Sequence, residues 1–153
     1  KLPANHSNKI NIHIGGAYNN KKETAKVFCN NFNLLSENCK KRLTVENDDK
    51  SSLYSCKELY EMVYQKIKIP IVFDYHHHSI YSNEINEKDA FMICYSTWDY
   101  TPTFHYSSGN EDNIRSHSDY IKNRINTYGK DVDIILEAKA KEQAVIRYKK
   151  DFC

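Results

Sequence analysis

Five metal-competent side chains, His13, Glu46, Asp74, His105 and Glu137, recur along the chain at intervals of 33, 28, 31 and 32 residues. Each falls in, or at the end of, a short apolar run. The runs are Ile-His-Ile-Gly-Gly, Leu-Thr-Val-Glu, Ile-Val-Phe-Asp, Thr-Phe-His-Tyr and Ile-Ile-Leu-Glu. His77 follows Asp74 by three residues. Carboxylates and imidazoles without a cysteine suit Mn²⁺, Zn²⁺ or Fe²⁺. So many ligands exceed the three or so that one catalytic ion takes from a protein, which implies a multinuclear site. Paired ions cleave phosphodiesters by clamping the attacking and leaving oxygens. Glu46 ends a run that reads as buried, where a carboxylate needs a compensating charge.

The elements that must position these groups follow from hydrophobic periodicity. Ile10–Ile14, Leu43–Glu46, Ile69–Tyr75, Thr103–Tyr106 and Val132–Glu137 read as strands, rich in Ile, Val, Phe or Tyr and bounded by Pro, Asn, Asp or Gly. Helical patterns lie between and after them at Glu23–Leu35, Ser55–Ile67, Glu87–Tyr95, His117–Tyr128 and Lys141–Tyr148. Ser55 stands three residues before Glu58, a capping-box spacing. Gly129 suits a helix end after Tyr128. Strand-then-helix repetition implies parallel strands joined by crossovers, an α/β class. A ligand at each strand end, every 30 residues or so, is what a (β/α)₈ TIM barrel requires, since its active site is built from strand ends on one face. An open doubly wound sheet would gather its ligands near one switch point instead.

The 153 residues fit one domain, and a formal charge of +2 provides no large basic field for nucleic acid or membrane. No run approaches the length of a transmembrane helix. The polar stretch 1–9 lacks the apolar segment of a signal peptide and an initiator Met, so the chain is expected to be processed or a fragment. Five cysteines without a C-x-x-C pair favour reduced thiols and an intracellular location, nuclear or cytoplasmic. Abundant Lys, Asn, Ile and Tyr point to an AT-rich genome, viral or from a low-GC host. With four glycines in the chain, the adjacent pair Gly15 and Gly16 is informative.

The blocks His-Ile-Gly-Gly-Ala-Tyr-Asn-Asn-Lys (13–21), Val-Glu-Asn-Asp-Asp (45–49), Val-Phe-Asp-Tyr-His-His-His (72–78) and Leu-Glu-Ala-Lys-Ala-Lys-Glu-Gln (136–143) resemble the UV damage endonuclease family. That family is related to endonuclease IV, and the resemblance runs from about Ile10 to Gln143 in the family's order. It implies an endonuclease IV-like (xylose-isomerase-like) TIM barrel and ATP-independent DNA repair. The phosphodiester 5′ of cyclobutane dimers and (6-4) photoproducts would be hydrolysed in double-stranded UV-damaged DNA, by a monomer. The implied cofactor is a divalent metal, up to three ions, chiefly Mn²⁺ with Zn²⁺ or Mg²⁺ as alternatives. Carried over residue by residue, His13 and Glu46 hold the first ion and Glu46 bridges to the second. Asp74, His105 and Glu137 complete the second, and His77 with His117 holds the third. Glu46, Asp74 and Glu137 are the catalytic carboxylates. Lys139 and Lys141, just past Glu137, could contact DNA phosphates from the rim. His76 and His78 read as supporting or loop residues, His6 as surface, and Trp98 as packing.

Two departures stand out. Family members often carry a lysine two residues before the seventh-strand histidine, where this chain has Thr103. At about 30 residues per unit, three strands are also unaccounted for, so the chain reads as strands 4–8, the C-terminal part of one barrel domain. Residues 1–153 alone are therefore expected to be inactive. Competing readings are a sugar isomerase or epimerase, or an AP endonuclease, of the same superfamily. The Glu-Ala-Lys-Ala-Lys-Glu run favours the nuclease.

Overall fold

A computed structural model of the chain describes Pro3 and residues 8–153; His6 lies outside the described residues. Five parallel strands form its centre: β1 (Ile10–Ile12), β2 (Leu43–Glu46), β3 (Ile71–Val72), β4 (Thr103–Tyr106) and β5 (Asp133–Leu136). Two ladders run β1-β2-β3 and β4-β5. An isolated parallel bridge between Asp74 and His105 joins them, so the strands lie side by side in chain order. Register pairs Asn11 with Thr44, Val45 with Ile71, and His105 with Ile135. The fold is α/β with parallel sheets. All five expected strands are present, each shorter than or equal to its apolar run.

Helices cover one face. They are α1 (Lys21–Asn33), α2 (Glu37–Lys40), α3 (Cys56–Leu59), α4 (Gln65–Ile67), α5 (Tyr75–Ile80), α6 (Glu87–Tyr95) and α7 (Glu142–Phe152). A π-helical turn at Tyr60–Tyr64 joins α3 to α4. Asn20 caps α1, and the Ser55–Glu58 capping box forms at α3. Strand side chains alternate between two faces. Val45, Ile71, Phe73 and Phe104 are fully buried on the helix side. There Phe73 meets Phe91 of α6 edge-on at 6.0 Å. Trp98 packs as expected, its indole donating to the Ile71 carbonyl at 2.7 Å. Asn11, Thr44, Glu46, Asp74, Thr103, His105 and Glu137 occupy the opposite face, which therefore carries the chemistry.

The segment 117–128 is not a helix, contrary to its i, i+4 pattern of Ile121 and Ile125. Its backbone donors take other partners: Lys122 donates to Ser108 Oγ, Ile125 to Tyr148 Oη, and Tyr128 to Asn126 Oδ1. Short Ser and Asn side chains compete with helical bonding in this way. Gly129 lies in a turn with φ +72° and caps no helix. No helix among the described residues is long and apolar enough to cross a membrane.

Candidate metal centre

Glu46 closes β2 with its carboxylate buried at the centre of a ring of imidazoles. Its Oε1 lies 3.7 Å from His13 Nε2 and 3.3 Å from His77 Nδ1. Its Oε2 lies 3.2 Å from His105 Nδ1 and accepts a hydrogen bond from Asn11 Nδ2. Glu137, just past β5, reaches His105 Nδ1 at 3.2 Å and His117 Nε2 at 3.7 Å. Among the described residues two sets have ligand atoms within 4.8 Å of one another: His13, Glu46 and His77, and Glu46, Asp74 and His105. Glu46 belongs to both. His77 thus sits with His13, whereas His117 stands beside Glu137 outside both sets.

Asp74 is held from three sides. Its Oδ1 caps α5 by accepting from the His77 amide at 2.7 Å. Asn47 clamps its backbone, accepting from the Asp74 amide at 2.8 Å and donating to its carbonyl at 3.1 Å. Asp74 Oδ2 is buried without a hydrogen-bond partner, with His77 Nδ1 3.8 Å away. Groups of that kind are costly unless something else is coordinated. A buried carboxylate oxygen left without a partner, in a cysteine-free set of imidazole and carboxylate ligands, fits a divalent metal.

The remaining candidates are placed as follows. His76 and His78 lie within the first turns of α5 rather than in a loop, and both are buried. His76 packs edge-on against His117, with ring centroids 5.7 Å apart. Lys139 and Lys141 are exposed and line a cavity of about 420 Å³ with His117 and Glu137. At Thr103, the Lys9 ammonium donates to the hydroxyl, so a lysine does reach this layer, from β1's side.

Three bracing residues lacked any role in the sequence reading. Asp48 accepts from His13 Nδ1 at 3.0 Å, Asn11 holds Glu46, and Asn47 supports both Asp74 and His77. For Asn47 and Asp48 the signal was the Glu-Asn-Asp block itself, two more polar residues directly after the Glu that closes β2.

The charges in this cluster sustain one another. Burial pushes Glu46 up, but bonds from His105 and His77 prevail and hold it well below the usual carboxylate range. Burial opposes charge on His105 and His77, yet the facing carboxylates raise them to about 10 and about 9. His13 is raised chiefly by Asp48. Glu137 is lowered chiefly by His105. Asp74 goes the other way, since burial lifts it to about 6 despite His77. These imidazolium protons occupy the place that a cation would take, because metal ligands must be deprotonated.

A parallel α/β sheet that collects imidazoles and carboxylates at its strand ends defines a protein with a metal-competent catalytic-type face. Comparison with known proteins narrows the class. The chain belongs to the UV-endonuclease UvdE family, whose model matches residues 1–153. It is 36% identical over 157 residues to a UV DNA damage endonuclease of Bacillus cereus (strain Q1), covering 93% of this chain and 48% of that protein. A Bacillus mycoides (strain KBAB4) UV DNA damage endonuclease is 37% identical, covering 92% and 47%. The crystal structure of SacUVDE superposes with a TM-score of 0.78 at 34% identity, covering 93% of this chain and 51% of that one. The chain thus spans about half the length of the relatives it matches.

Proposed function

We propose that the protein containing this chain is a metal-dependent DNA repair endonuclease that nicks the phosphodiester 5′ of UV photoproducts in duplex DNA without ATP. Residues 1–153 supply the C-terminal five strands of its (β/α)₈ barrel. The observation that carries the reading is Glu46, shared between two ligand sets on the face where the strands end. Divalent ions bound there, Mn²⁺ first among them and up to three in number, supply Lewis-acid polarisation of the phosphodiester and neutralise charge.

The chain's own residues prepare that site. Asp48 accepts a hydrogen bond from His13 Nδ1–H and so leaves Nε2 as the ligand atom, the usual role of a carboxylate behind a metal-bound histidine. Asn47 and the α5 cap aim Asp74 Oδ2 into the cluster. Glu137 and His105 face each other across β4 and β5, completing the set around the second position, with His117 alongside. His77 joins on the His13 side. Lys139 and Lys141 border the cavity beside Glu137 and are assigned to DNA phosphates, which position the duplex without reading its sequence. Serial adjacency of five parallel strands supports the barrel over an open sheet with a switch point.

The test is nicking of UV-irradiated supercoiled plasmid by the full-length protein in Mn²⁺ without ATP. Conversion to open circles on irradiated plasmid alone is expected. Irradiated plasmid left supercoiled, together with turnover of a sugar, would replace the nuclease with an isomerase.

A further inference from the structure

The loop between β1 and α1 leaves the metal centre at His13 and reaches an unusual conformation five residues later. Tyr18 and Asn19 both have positive φ, at +44° and +62°, and Gly15 has φ +93°. Bulky residues avoid this region, and such conformations persist where the surroundings fix them, often at functional sites. Here they hold a tyrosine ring out in solvent: Tyr18 is 89% exposed. Packing does not explain this arrangement, because the ring contributes nothing to the core.

Tyr18 forms one wall of a cavity of about 360 Å³, whose other lining includes Gly16, Asn19, Lys21, Ser52 and Leu53. Ser52 and Leu53 belong to the loop after β2. Both walls are fastened to the ligand set. The first loop starts at His13, and the second returns to Asp48, whose amide donates to the Tyr54 carbonyl at 2.8 Å. Tyr54 Oη donates to the Lys21 carbonyl at 2.9 Å and locks the two loops together. The cavity therefore lies between two loops that each leave a ligand-bearing strand end, lined by an exposed aromatic ring, an asparagine, a serine and a lysine. A flat ring with a few polar groups around it is chemistry suited to a nucleobase.

We propose that this cavity is a nucleobase site, in which the Tyr18 ring stacks on an unstacked base of the DNA held at the metal centre. The inference rests on the endonuclease reading and adds a contact residue to it. Duplex containing a lesion offers such a base at least cost, because its stacking is already disturbed.

Steady-state nicking of irradiated duplex by the full-length protein tests it with Tyr18→Ala and Tyr18→Phe. Stacking is binding common to ground and transition states, so Tyr18→Ala is expected to raise KM about tenfold with kcat within about twofold. Tyr18→Phe keeps the ring and is expected to stay within about twofold in both. Melting temperature and metal content should be unchanged in both variants, as the side chain is almost fully exposed. An unchanged KM in Tyr18→Ala would overturn the base site and leave the endonuclease intact. A loss in Tyr18→Phe as large as in Tyr18→Ala would also overturn it, because the hydroxyl would then be the contact. Wild-type protein that fails to nick irradiated DNA would overturn the endonuclease reading, and the base site with it.

Discussion

Glu46 sits where removal of one charge is felt by several groups at once. Its two oxygens face His13 and His77 on one side and His105 on the other. Glu46→Gln keeps the shape and can still pair with Asn11, but cannot serve two cations. The variant is expected to retain its fold and lose more than one metal ion per chain by elemental analysis; unchanged stoichiometry would remove Glu46 as the bridge. Titration of the same cluster sets a pH dependence for the metal-free protein. His105 and His77 are raised to about 10 and about 9 from an ordinary 6.5, and Asp74 to about 6 from 3.8. A raised group contributes stability below its unfolded pKa and loses it as pH climbs through the folded value. For the two histidines the loss falls between about pH 6.5 and 10, and Asp74 has already lost its share by pH 6.5. Metal-stripped protein should therefore melt several degrees lower at pH 9.5 than at pH 6.5. Added Mn²⁺ should abolish most of the difference, since bound cations replace the protons. A melting temperature that rises with pH in chelator would contradict the charge assignment.

Elements were legible where one strong local signal decides them. The five strands follow from apolar runs flanked by breakers, and α3 from Ser55 and Glu58, whose capping box is present. The segment 117–128 misled because Ile121 and Ile125 mimic a helical face, while its amides bond to Ser108 and Tyr148, partners 14 and 23 residues away. Such bonds exist only once β4 and α7 are in place, so no local pattern announces them. The candidate ligands His13, Glu46, Asp74, His105 and Glu137 stood out for the converse reason: each lies in or just past its own strand. Their braces did not, because Asn11 meets Glu46 only through the β1–β2 register. The 107–118 loop adds a constraint of its own. A Cβ on Gly109 would stand 3.1 Å from both His76 Cε1 and the Ile114 carbonyl, and Gly109 bridges to His117. Because one of those neighbours is backbone, relief must come from moving the loop. Gly109→Ala is expected to destabilise by about 1–3 kcal/mol in urea unfolding, the usual range for overpacking. A change below about 0.5 kcal/mol would mean that His76 yields freely.

At the scale of the whole molecule, the two faces of the sheet are unequally finished. The helix face is closed: Ile71, Phe73, Phe91 and Phe104 are fully buried. Ile71 and Phe73 point toward the helices, because alternation along β3 gives the inner face to Val72 and Asp74. Ile135 lies on the inner face, and it is 48% exposed. Among the described residues β1 ladders only with β2 and β5 only with β4, so each offers a row of unpaired backbone groups. Flat edges of this kind recruit other strands, and a closed barrel removes them by pairing its first strand with its last. Residues 1–153 expressed alone should keep the helical content of the packed face yet associate through β1 and β5. Size-exclusion chromatography is expected to return oligomers or aggregate rather than an 18.0 kDa species. Irradiated plasmid should remain uncut, because the inner face that would enclose the scissile phosphate is open on one side. A monomer that melts cooperatively and nicks irradiated DNA would show that these five strands suffice for the chemistry.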